Sequence, residues 1–350
     1  MPHNLNQFFR DDVLAMKPYV PGEQPLAGKA IKLNTNENPY PPSSAVIAAI
    51  QQAATRLERY PDPLATAFRM RAGEVLGVSP DQILCGNGSD DILTIVTRAF
   101  VAPGSQLRFP YPSYILYRTL AELQGATSQE IDFAADWSLS AEFYASSSDL
   151  RLVFLPNPNS PTGTVVSREQ IIELAEQLPC PLLIDEAYVD FATFSCVDLP
   201  ARYPNIMVSR TLSKSYALAG LRFGYLVAHP EIIQILRKVK DSYNTDALSI
   251  AGATAAIDDQ DWLKENVRRC NATRERMTTG LRELGFDVIP SHANFVWCIH
   301  PTRRAEPLYQ QLKQSGILVR YMNYPRWSDG LRISVGTDSA IDAMLSLLKI

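Results

Sequence analysis

Lys214 and Asp185 both follow short apolar segments, at positions where the strands of a parallel sheet would end. Lys214 comes after Ile206–Val208, and Asp185 comes directly after Leu182–Ile184. A lysine that acts as a nucleophile must lose its proton, which requires desolvation or a nearby cation, and Arg222 follows eight residues later. A carboxylate can pair with the protonated nitrogen of a heterocycle and keep its ring electron-poor. Either residue alone is equally typical of an ordinary strand end, so their combination carries the interpretation.

A segment that could bind an anion lies in front of a predicted helix. Gly86-Asn-Gly-Ser-Asp90 leads into that helix, and the free N–H groups at a helix start bind phosphate well. The hydroxyl of Ser89 and the side chains of Thr211, Ser213 and Arg222 could donate to the same anion. A glycine-rich turn with a purely structural role is as common as one that binds an anion. This segment alone therefore does not predict an anion site, and the interpretation rests on its combination with the other candidates.

Two tyrosines complete the group of candidate residues. Tyr188 follows Asp185 by three residues and could donate to a ring oxygen. Tyr114, in Pro112-Ser-Tyr114, could stack on a flat ring. Packing in the core is the ordinary alternative for each tyrosine. Together the candidates describe a site with an amine, an acid, an anion-binding segment and aromatic side chains.

Short apolar segments alternate with helical patterns between residues 83 and 240, which favours an α/β fold with a mostly parallel sheet between helices. The candidate strands are Ile83–Cys85, Leu107–Phe109, Leu152–Leu155, Leu182–Ile184, Ile206–Val208 and Phe223–Val227. The candidate helices are Asp91–Phe100, Tyr114–Leu123, Ser167–Leu178 and Pro230–Lys240. Polar clusters at 86–90, 157–163, 185–188 and 211–214 all follow strands. Because an open α/β sheet binds its ligand at the carboxyl ends of its strands, we expect the clusters to meet in one crevice.

The chain divides into three predicted parts. These are an N-terminal arm over residues 1–42 that joins the small domain, a large domain over 43–243 and a small C-terminal domain over 244–350. The C-terminal part combines a long helical stretch from Trp262 to Leu284 with four short strands and two more helices. That order of elements is an α+β pattern.

Composition and charge exclude several classes of protein. The chain has 350 residues, a net charge of −4 and no basic tract, which disfavours partners such as nucleic acid or an anionic membrane. No apolar segment is long enough to span a bilayer, and the first residues lack the apolar core of a signal peptide. The five cysteines and four histidines show no metal-ligand or disulfide spacing. We therefore expect a cytoplasmic protein with free thiols and no metal site.

The order and spacing of these segments resemble the fold-type I pyridoxal-phosphate (PLP) enzymes of the aspartate aminotransferase superfamily, and among them the histidinol-phosphate aminotransferase family. The resemblance extends over nearly the whole chain and implies a large PLP-binding domain beside a smaller α+β domain. The matching segments are Tyr19-Val-Pro-Gly22, Asn36-Glu-Asn-Pro39, Arg59-Tyr-Pro-Asp62, Gly86-Asn-Gly-Ser-Asp90, Asp185-Glu-Ala-Tyr188, Thr211-Leu-Ser-Lys-Ser215, Ala219-Gly-Leu-Arg222-Phe-Gly224 and Gly330-Leu-Arg332-Ile-Ser-Val-Gly336.

For the cofactor, the resemblance implies a role for each matching residue. Lys214 would hold PLP as a Schiff base and move protons, Asp185 would pair with the pyridine nitrogen, and Tyr188 would donate to the ring oxygen. Tyr114 would stack on the ring. The residues around the cofactor phosphate would be Gly88, Ser89, Asp90, Thr211, Ser213 and Arg222.

For the substrate and the assembly, the resemblance implies five further residues. Arg332 would bind the carboxylate of glutamate or the phosphate of the amino donor, and Arg320 and Tyr19 would help to bind that phosphate. Asn36 would also belong to the substrate site. Tyr60 would reach the cofactor phosphate in the partner subunit, so the active unit would be a homodimer.

One position departs from the superfamily pattern. The superfamily usually has Asn directly before Pro-Thr-Gly, where it bonds the ring oxygen, and this chain has Ser160 there. Asn157 or Asn159 in the same loop could replace the missing amide, or Tyr188 could act alone. Asn157 is the residue that we predict as a cofactor ligand.

The resemblance implies a transamination in which histidinol phosphate and 2-oxoglutarate become imidazole-acetol phosphate and glutamate, a step of histidine biosynthesis. Three alternatives stay open at this point. The same site could serve an aromatic amino acid aminotransferase or a PLP lyase such as a threonine-phosphate decarboxylase. A non-catalytic PLP-binding module is disfavoured, because no DNA-binding or membrane segment is appended to the chain.

Overall fold

A computed structural model describes residues 4–18, 22–24 and 30–349 of the chain. The strands are β1 (Ile31–Lys32), β2 (Ile83–Gly86), β3 (Gln106–Tyr111), β4 (Thr127–Asp132), β5 (Leu150–Pro156), β6 (Leu182–Asp185), β7 (Ile206–Thr211), β8 (Gly224–Val227), β9 (Asp287–Val288), β10 (Phe295–Ile299), β11 (Ile317–Leu318), β12 (Arg320–Asn323) and β13 (Asp329–Ser334). The α-helices are α1 (Asp11–Ala15), α2 (Ser44–Ala53), α3 (Thr66–Leu76), α4 (Ser89–Phe100), α5 (Leu116–Leu123), α6 (Arg168–Gln177), α7 (Pro230–Leu236), α8 (Ala247–Asp258), α9 (Gln260–Glu283), α10 (Ala305–Gln314) and α11 (Asp338–Leu348).

The large sheet has the strand order β2-β8-β7-β6-β5-β3-β4. In this order, each pair of adjacent strands from β4 to β7 is parallel. Strand β8 runs antiparallel to both β7 and β2. Strand β5 shows why both faces are covered. Leu152 and Phe154 pack with the helices on one face, whereas Val153 and Leu155 pack with those on the other. Alternate side chains of a strand point to opposite faces, so an all-apolar strand needs a layer of helices on each side. The predicted α/β fold with a mostly parallel sheet is confirmed.

Helix α6 begins where the sequence predicts it. The Ser167 hydroxyl accepts a hydrogen bond from the backbone N–H of Gln170 at 3.3 Å, and the Gln170 side chain accepts one from the N–H of Ser167 at 3.2 Å. This reciprocal pair satisfies two N–H groups that a helix start otherwise leaves without partners. The two residues therefore form a capping box at the start of the helix that the sequence predicts from Ser167.

The C-terminal unit contains a four-stranded antiparallel sheet of order β12-β13-β10-β9. Helices α9, α10 and α11 share one apolar core with it, which includes Met277, Leu312 and Met344. The N-terminal arm contributes to the same unit, because Ile31 pairs with Ile317 and Leu33 lies in that core. This pairing brings the Asn36 segment next to the end of β13.

Helix α8 lies with the large unit rather than with the C-terminal one. Its residues Ile250 and Ala253 share an apolar core with Phe68 of α3 and Val46 of α2. The domain boundary after residue 243 stays a prediction, and these contacts favour a boundary closer to residue 259. Within the described residues, the helices include none with the length and apolar character needed to cross a membrane.

Candidate active site

One pocket between the large sheet and the C-terminal unit collects most of the candidate residues. It lies at the carboxyl ends of β5, β6 and β7, where the pattern of polar clusters predicts a crevice. The predicted residues that line it are Asn36, Ser89, Asp90, Tyr114, Asp185, Tyr188, Thr211, Ser213, Lys214, Arg222, Arg320 and Arg332. The structure thus brings together an amine, a buried acid, hydroxyl donors and arginines.

The start of α4 and Arg222 form the anion-binding side of the pocket. Helix α4 begins after Gly88 without a side-chain cap, so its first N–H groups can bind an anion. Gly88 has a φ of 85°, and a Cβ atom there would lie 2.5 Å from Nη2 of Arg222. Only glycine allows that guanidinium to approach the helix start so closely.

Arg222 and two hydroxyls complete this side. The Arg222 guanidinium lies 3.2 Å from a carboxylate oxygen of Asp90 and 3.4 Å from the hydroxyl of Ser213. Thr211 donates from its hydroxyl to that of Ser213 over 3.0 Å. Arg222 adopts a left-handed backbone with a φ of 55°. Such strain persists only where the surroundings hold the residue, and it is common at functional sites.

Asp185 is a buried acid at the end of β6. Its side chain accepts hydrogen bonds from the hydroxyl of Tyr117 at 2.7 Å and from the hydroxyl of Ser209 at 3.2 Å. Burial raises the pKa of Asp185 to about 6, because it penalises the ionised form, and the two hydroxyl donors oppose that rise. A cation placed beside this carboxylate would therefore be strongly favoured.

Tyr117 is a site residue that the sequence does not single out. It lies inside α5 and is completely buried, next to Phe109 and Phe154. Burial, the largest cause, raises its pKa well above the ordinary value, so the phenol keeps its proton and donates it to Asp185. The periodicity of the helix predicts a core position for Tyr117, and no motif indicates the contact with Asp185.

Lys214 follows β7 on a loop that two asparagines hold in place. Asn38 donates to the carbonyl oxygen of Lys214 at 2.9 Å, and Asn266 of α9 donates to that of Ser215 at 2.6 Å. The Nζ atom of Lys214 lies 3.4 Å from the carbonyl oxygen of Thr35 and 5.8 Å from the centre of the Tyr188 ring. The amine of Lys214 thus lies in the pocket, between Thr35 of the N-terminal arm and Tyr188.

The hairpin of β12 and β13 forms the opposite side of the pocket. Arg320 and Arg332 are paired residues across its two strands. Arg332 donates to the hydroxyl of Ser160 at 3.1 Å and to the carbonyl oxygen of Asn34 at 3.1 Å. Both arginines also line a second, adjoining cavity with several aromatic residues, among them Phe109, Tyr111 and Tyr324. Two guanidinium groups in one cavity favour an anionic substrate.

The loop after β5 bears on the ring-oxygen assignment, in which Asn157 is the predicted ligand. The Asn157 amide donates to the carbonyl oxygen of Val166 at 3.2 Å and accepts from the N–H of Val166 at 2.8 Å. Because both ends of this amide bind backbone, Asn157 braces the loop and does not line the pocket. Asn159 likewise donates to Pro112 and Thr162. Ser160 lines the pocket instead.

Of the other predicted residues, Tyr60 lies apart from the pocket. Tyr60 is 82% exposed and stacks on Tyr243 with the ring centres 4.6 Å apart, in a surface groove beside α2, α3 and α8. Its role in a partner subunit stays a prediction. Tyr19, the remaining candidate, lies outside the described residues.

Comparison with known proteins identifies the class. The model of the family "Aminotransferase class I and II" matches residues 28–348. The structure is similar to a histidinol-phosphate aminotransferase from Sinorhizobium meliloti, solved in complex with pyridoxal-5'-phosphate, with a TM-score of 0.90, 27% identity, and coverage of 97% of this chain and 96% of that one. Fold and site together therefore define a class I and II aminotransferase.

The particular family follows from the relatives. The chain is 59% identical to a histidinol-phosphate aminotransferase of Rhodopirellula baltica over 97% of its own length and 95% of the relative's. It is 44% identical to one of Geotalea daltonii, covering 97% of this chain and 98% of the relative. The chain belongs to the histidinol-phosphate aminotransferase family.

Proposed function

We propose that this protein transfers the amino group of histidinol phosphate to 2-oxoglutarate, with PLP as cofactor, and so forms imidazole-acetol phosphate and glutamate. The observation that carries the proposal is the convergence of Lys214, Asp185 and the Arg222 side of α4 on one pocket, opposite Arg320 and Arg332. The family membership supports the same reaction.

The residues present fit PLP as a ligand. The uncapped start of α4, Ser89, Ser213 and Arg222 offer donors for its phosphate. Asp185 is a buried acid whose ionised form would be stabilised by a protonated ring nitrogen. When bound, PLP supplies an electron sink that stabilises negative charge on a substrate carbon.

Side chains of the protein would transfer the proton, stabilise the charge on the ring nitrogen and position the ring. The Nζ atom of Lys214 would take a proton from the substrate carbon as general base and deliver it to the aldehyde carbon of the cofactor as general acid. Asp185 holds the positive charge of the ring nitrogen, and Tyr117 and Ser209 keep the carboxylate in one orientation. Tyr114 lines the same pocket, donates from its hydroxyl to Asp90 at 3.3 Å and would stack on the ring.

Arg320 and Arg332 account for both substrates. Histidinol phosphate carries a phosphate and 2-oxoglutarate carries two carboxylates, and a planar guanidinium binds either group through two parallel hydrogen bonds. The adjoining aromatic cavity offers room for the imidazole ring. The same aromatic lining favours one second candidate, an aromatic amino acid as amino donor.

A single-turnover assay with the PLP-loaded protein tests these assignments. We expect histidinol phosphate to convert the bound cofactor and 2-oxoglutarate to restore it with release of glutamate. Lys214→Ala should abolish both steps and the absorbance band that arises from the Schiff base between Lys214 and the cofactor. Faster conversion by phenylalanine or tyrosine would favour the second candidate. Release of carbon dioxide from threonine phosphate without glutamate would contradict aminotransfer.

We also propose that the active unit is a homodimer in the cytoplasm. Its support is the groove beside α2, α3 and α8, which Tyr60 lines, together with the exposed apolar side chains of Leu57 and of Met70 in α3. Five buried free cysteines agree with a reducing compartment.

Mixing two impaired variants tests the dimer. In a mixed dimer of Lys214→Ala and Tyr60→Ala, one site keeps its own Lys214 and receives Tyr60 from the other subunit. We therefore expect activity above that of either variant after unfolding and refolding the two together. Unchanged activity, with a dimer mass confirmed by light scattering, would place Tyr60 outside the partner's site.

A further inference from the structure

We infer that Asn36 is a positioning residue that aims the hydroxyl proton of Tyr188 into the pocket, toward the ring oxygen of the cofactor. The inference rests on the PLP binding proposed above and gives Asn36 a role different from the substrate contact that the resemblance implies. It follows from the direction in which a short series of hydrogen bonds must run.

The series begins at the backbone of Asn36. The N–H of Asn36 donates to the Ser334 hydroxyl oxygen at 2.8 Å, and the Ser334 hydroxyl in turn donates to the side-chain oxygen of Asn36 at 2.9 Å. The amide oxygen therefore faces Ser334, and the amide nitrogen lies 3.0 Å from the hydroxyl oxygen of Tyr188. An amide nitrogen can only donate, so the Tyr188 oxygen accepts and its own proton is left to point elsewhere.

The amide of Asn36 cannot easily turn over. Asn36 is 1% exposed, and its backbone is left-handed with a φ of 56°, which Asn tolerates better than most residues. The side chain of Asn294 donates to the backbone carbonyl oxygen of Asn36 at 3.0 Å and so helps to hold this residue in place. A flipped amide would place its oxygen against Tyr188 and its nitrogen against the Ser334 hydroxyl, which would then accept twice and have no acceptor for its own proton. The flip would thus lose a buried hydrogen bond, which is costly.

Tyr188 matters because the Asn157 amide is committed to other partners. Both of its ends bind Val166, and the Ser160 hydroxyl, which accepts from Arg332, is carried on a shorter side chain than the usual Asn. The Tyr188 ring packs edge-on against Phe295 at 5.0 Å between centres, which limits its rotation. A phenol proton donated to an anionic ring oxygen favours the anion. Asn36 therefore acts on the cofactor through Tyr188, from the side of the C-terminal unit.

The test is the pH midpoint of the visible absorbance of the PLP-loaded protein. Asn36→Asp keeps the shape of the side chain but replaces the donating nitrogen with an accepting oxygen, so the Tyr188 proton turns toward residue 36. The ring oxygen then loses its donor, and we expect the midpoint to rise by about one to two pH units, as for a lost hydrogen bond to a charged group. Tyr188→Phe should give a similar rise.

The double variant separates positioning from a merely structural effect. Asn36→Ala combined with Tyr188→Phe should shift the midpoint no further than Tyr188→Phe alone, because this neutral change adds no charge of its own and Asn36 acts only through that hydroxyl. Ser334→Ala, which frees the amide without adding charge, should give a smaller rise in the same direction. Thermal unfolding of each loaded variant confirms that the protein is folded.

The outcomes distinguish the two proposals. A wild-type protein that binds no PLP would overturn the proposed function, and the role of Asn36 with it. A protein that binds PLP but whose midpoint is unmoved by Asn36→Asp or by Tyr188→Phe would overturn the positioning role alone. Shifts that add in the double variant would do the same, because they would show that Asn36 acts independently of Tyr188.

Discussion

The two sides of the pocket are built in different ways. The side proposed to bind the cofactor, the cofactor side, consists of strand ends of one parallel sheet and the start of α4. There Asp185, Thr211 and Ser213 are buried, Asp185 accepts from Ser209, and Thr211 donates to Ser213. The side proposed to bind the substrate, the substrate side, consists of the hairpin of β12 and β13, which places Arg320 and Arg332 opposite each other. The first side gathers residues from successive strand ends, and the second depends on the register of two strands and on the docking of their tip.

The hairpin tip is tied to the large unit at β4. Arg326 lies 3.5 Å from a carboxylate oxygen of Glu130 and 3.2 Å from one of Asp132, and its guanidinium lies 4.0 Å above the Tyr111 ring. Trp327 donates to Asp132 at 3.2 Å and stacks on Trp137. These contacts are half-exposed, in contrast to the buried bonds of the cofactor side. We therefore expect changes on the cofactor side to affect the chemical step, and changes on the hairpin to affect substrate affinity.

The largest expected effect is on the cofactor side. Asp185→Asn should lower kcat on the order of 10³-fold with little change in donor KM, because a neutral amide cannot hold the positive charge of the ring nitrogen. Steady-state kinetics with saturating PLP measures it. Ser209→Ala, which removes a donor from the same carboxylate, is the matched control and should cost far less. An equal loss in both variants would contradict the assignment of Asp185.

The next effect is the pH dependence of stability in the cofactor-free protein. Asp185 has a pKa of about 6 in the folded state and 3.8 as its ordinary value, so the folded protein binds the proton more tightly. The stability that this proton contributes is complete below about pH 4 and is lost as the pH rises through 6, roughly 3 kcal/mol in all.

Urea unfolding at several pH values checks this expectation. The free energy of unfolding of the wild type, minus that of Asp185→Asn, should fall between pH 4 and pH 6 and stay level above pH 7. Other carboxylates contribute equally to both proteins and cancel in the difference. A difference that rises with pH would mean that Asp185 is stabilised as an anion even without a cofactor.

On the substrate side, Arg332→Lys and Arg320→Lys should each raise the donor KM by about 10- to 100-fold while kcat changes little. The charge is kept, but the planar pair of donors that matches a phosphate or carboxylate is lost. Arg268→Lys, on the exposed face of α9 beside Glu265, is the control and should leave both constants unchanged. A donor KM unaltered by Arg320→Lys would exclude that residue from the phosphate site.

The smallest expected effect is at the hairpin tip. Arg326→Gln should raise the donor KM by about two- to fivefold, because half-exposed ion pairs contribute at most about 1 kcal/mol. High salt should raise the donor KM of the wild type more than that of the variant, because only the wild type has this ion pair to lose while both screen the substrate phosphate from Arg320 and Arg332. Arg168→Gln removes a comparable ion pair, to Asp198, within the large unit and serves as the control. A fall in kcat rather than a rise in KM would break the contrast between the two sides.

Local pattern determined much of this protein. Apolar segments followed by polar clusters identify β5, β6 and β7 and the residues after them, because a strand buried on both faces must be apolar and a ligand site must be polar. Ser167 and Gln170 predict the start of α6 for an equally local reason. Strand β4 is missed, since Thr127–Asp132 is mostly polar and its pairing with β3 supplies what its sequence lacks.

Contacts between distant segments decided the rest. Tyr117 bonds Asp185 across 68 positions, and Asn36 bonds Ser334 across 298. Neither contact can be predicted from the residues next to it in the sequence. Asn157 shows the converse, because its local motif predicts a ligand whereas the folded loop uses its amide for Val166. Side-chain types and their spacing state which chemistry is possible, since they depend only on neighbours along the chain. The direction of each hydrogen bond depends on which partner the folded protein brings within 3 Å, and that is a property of the tertiary structure alone.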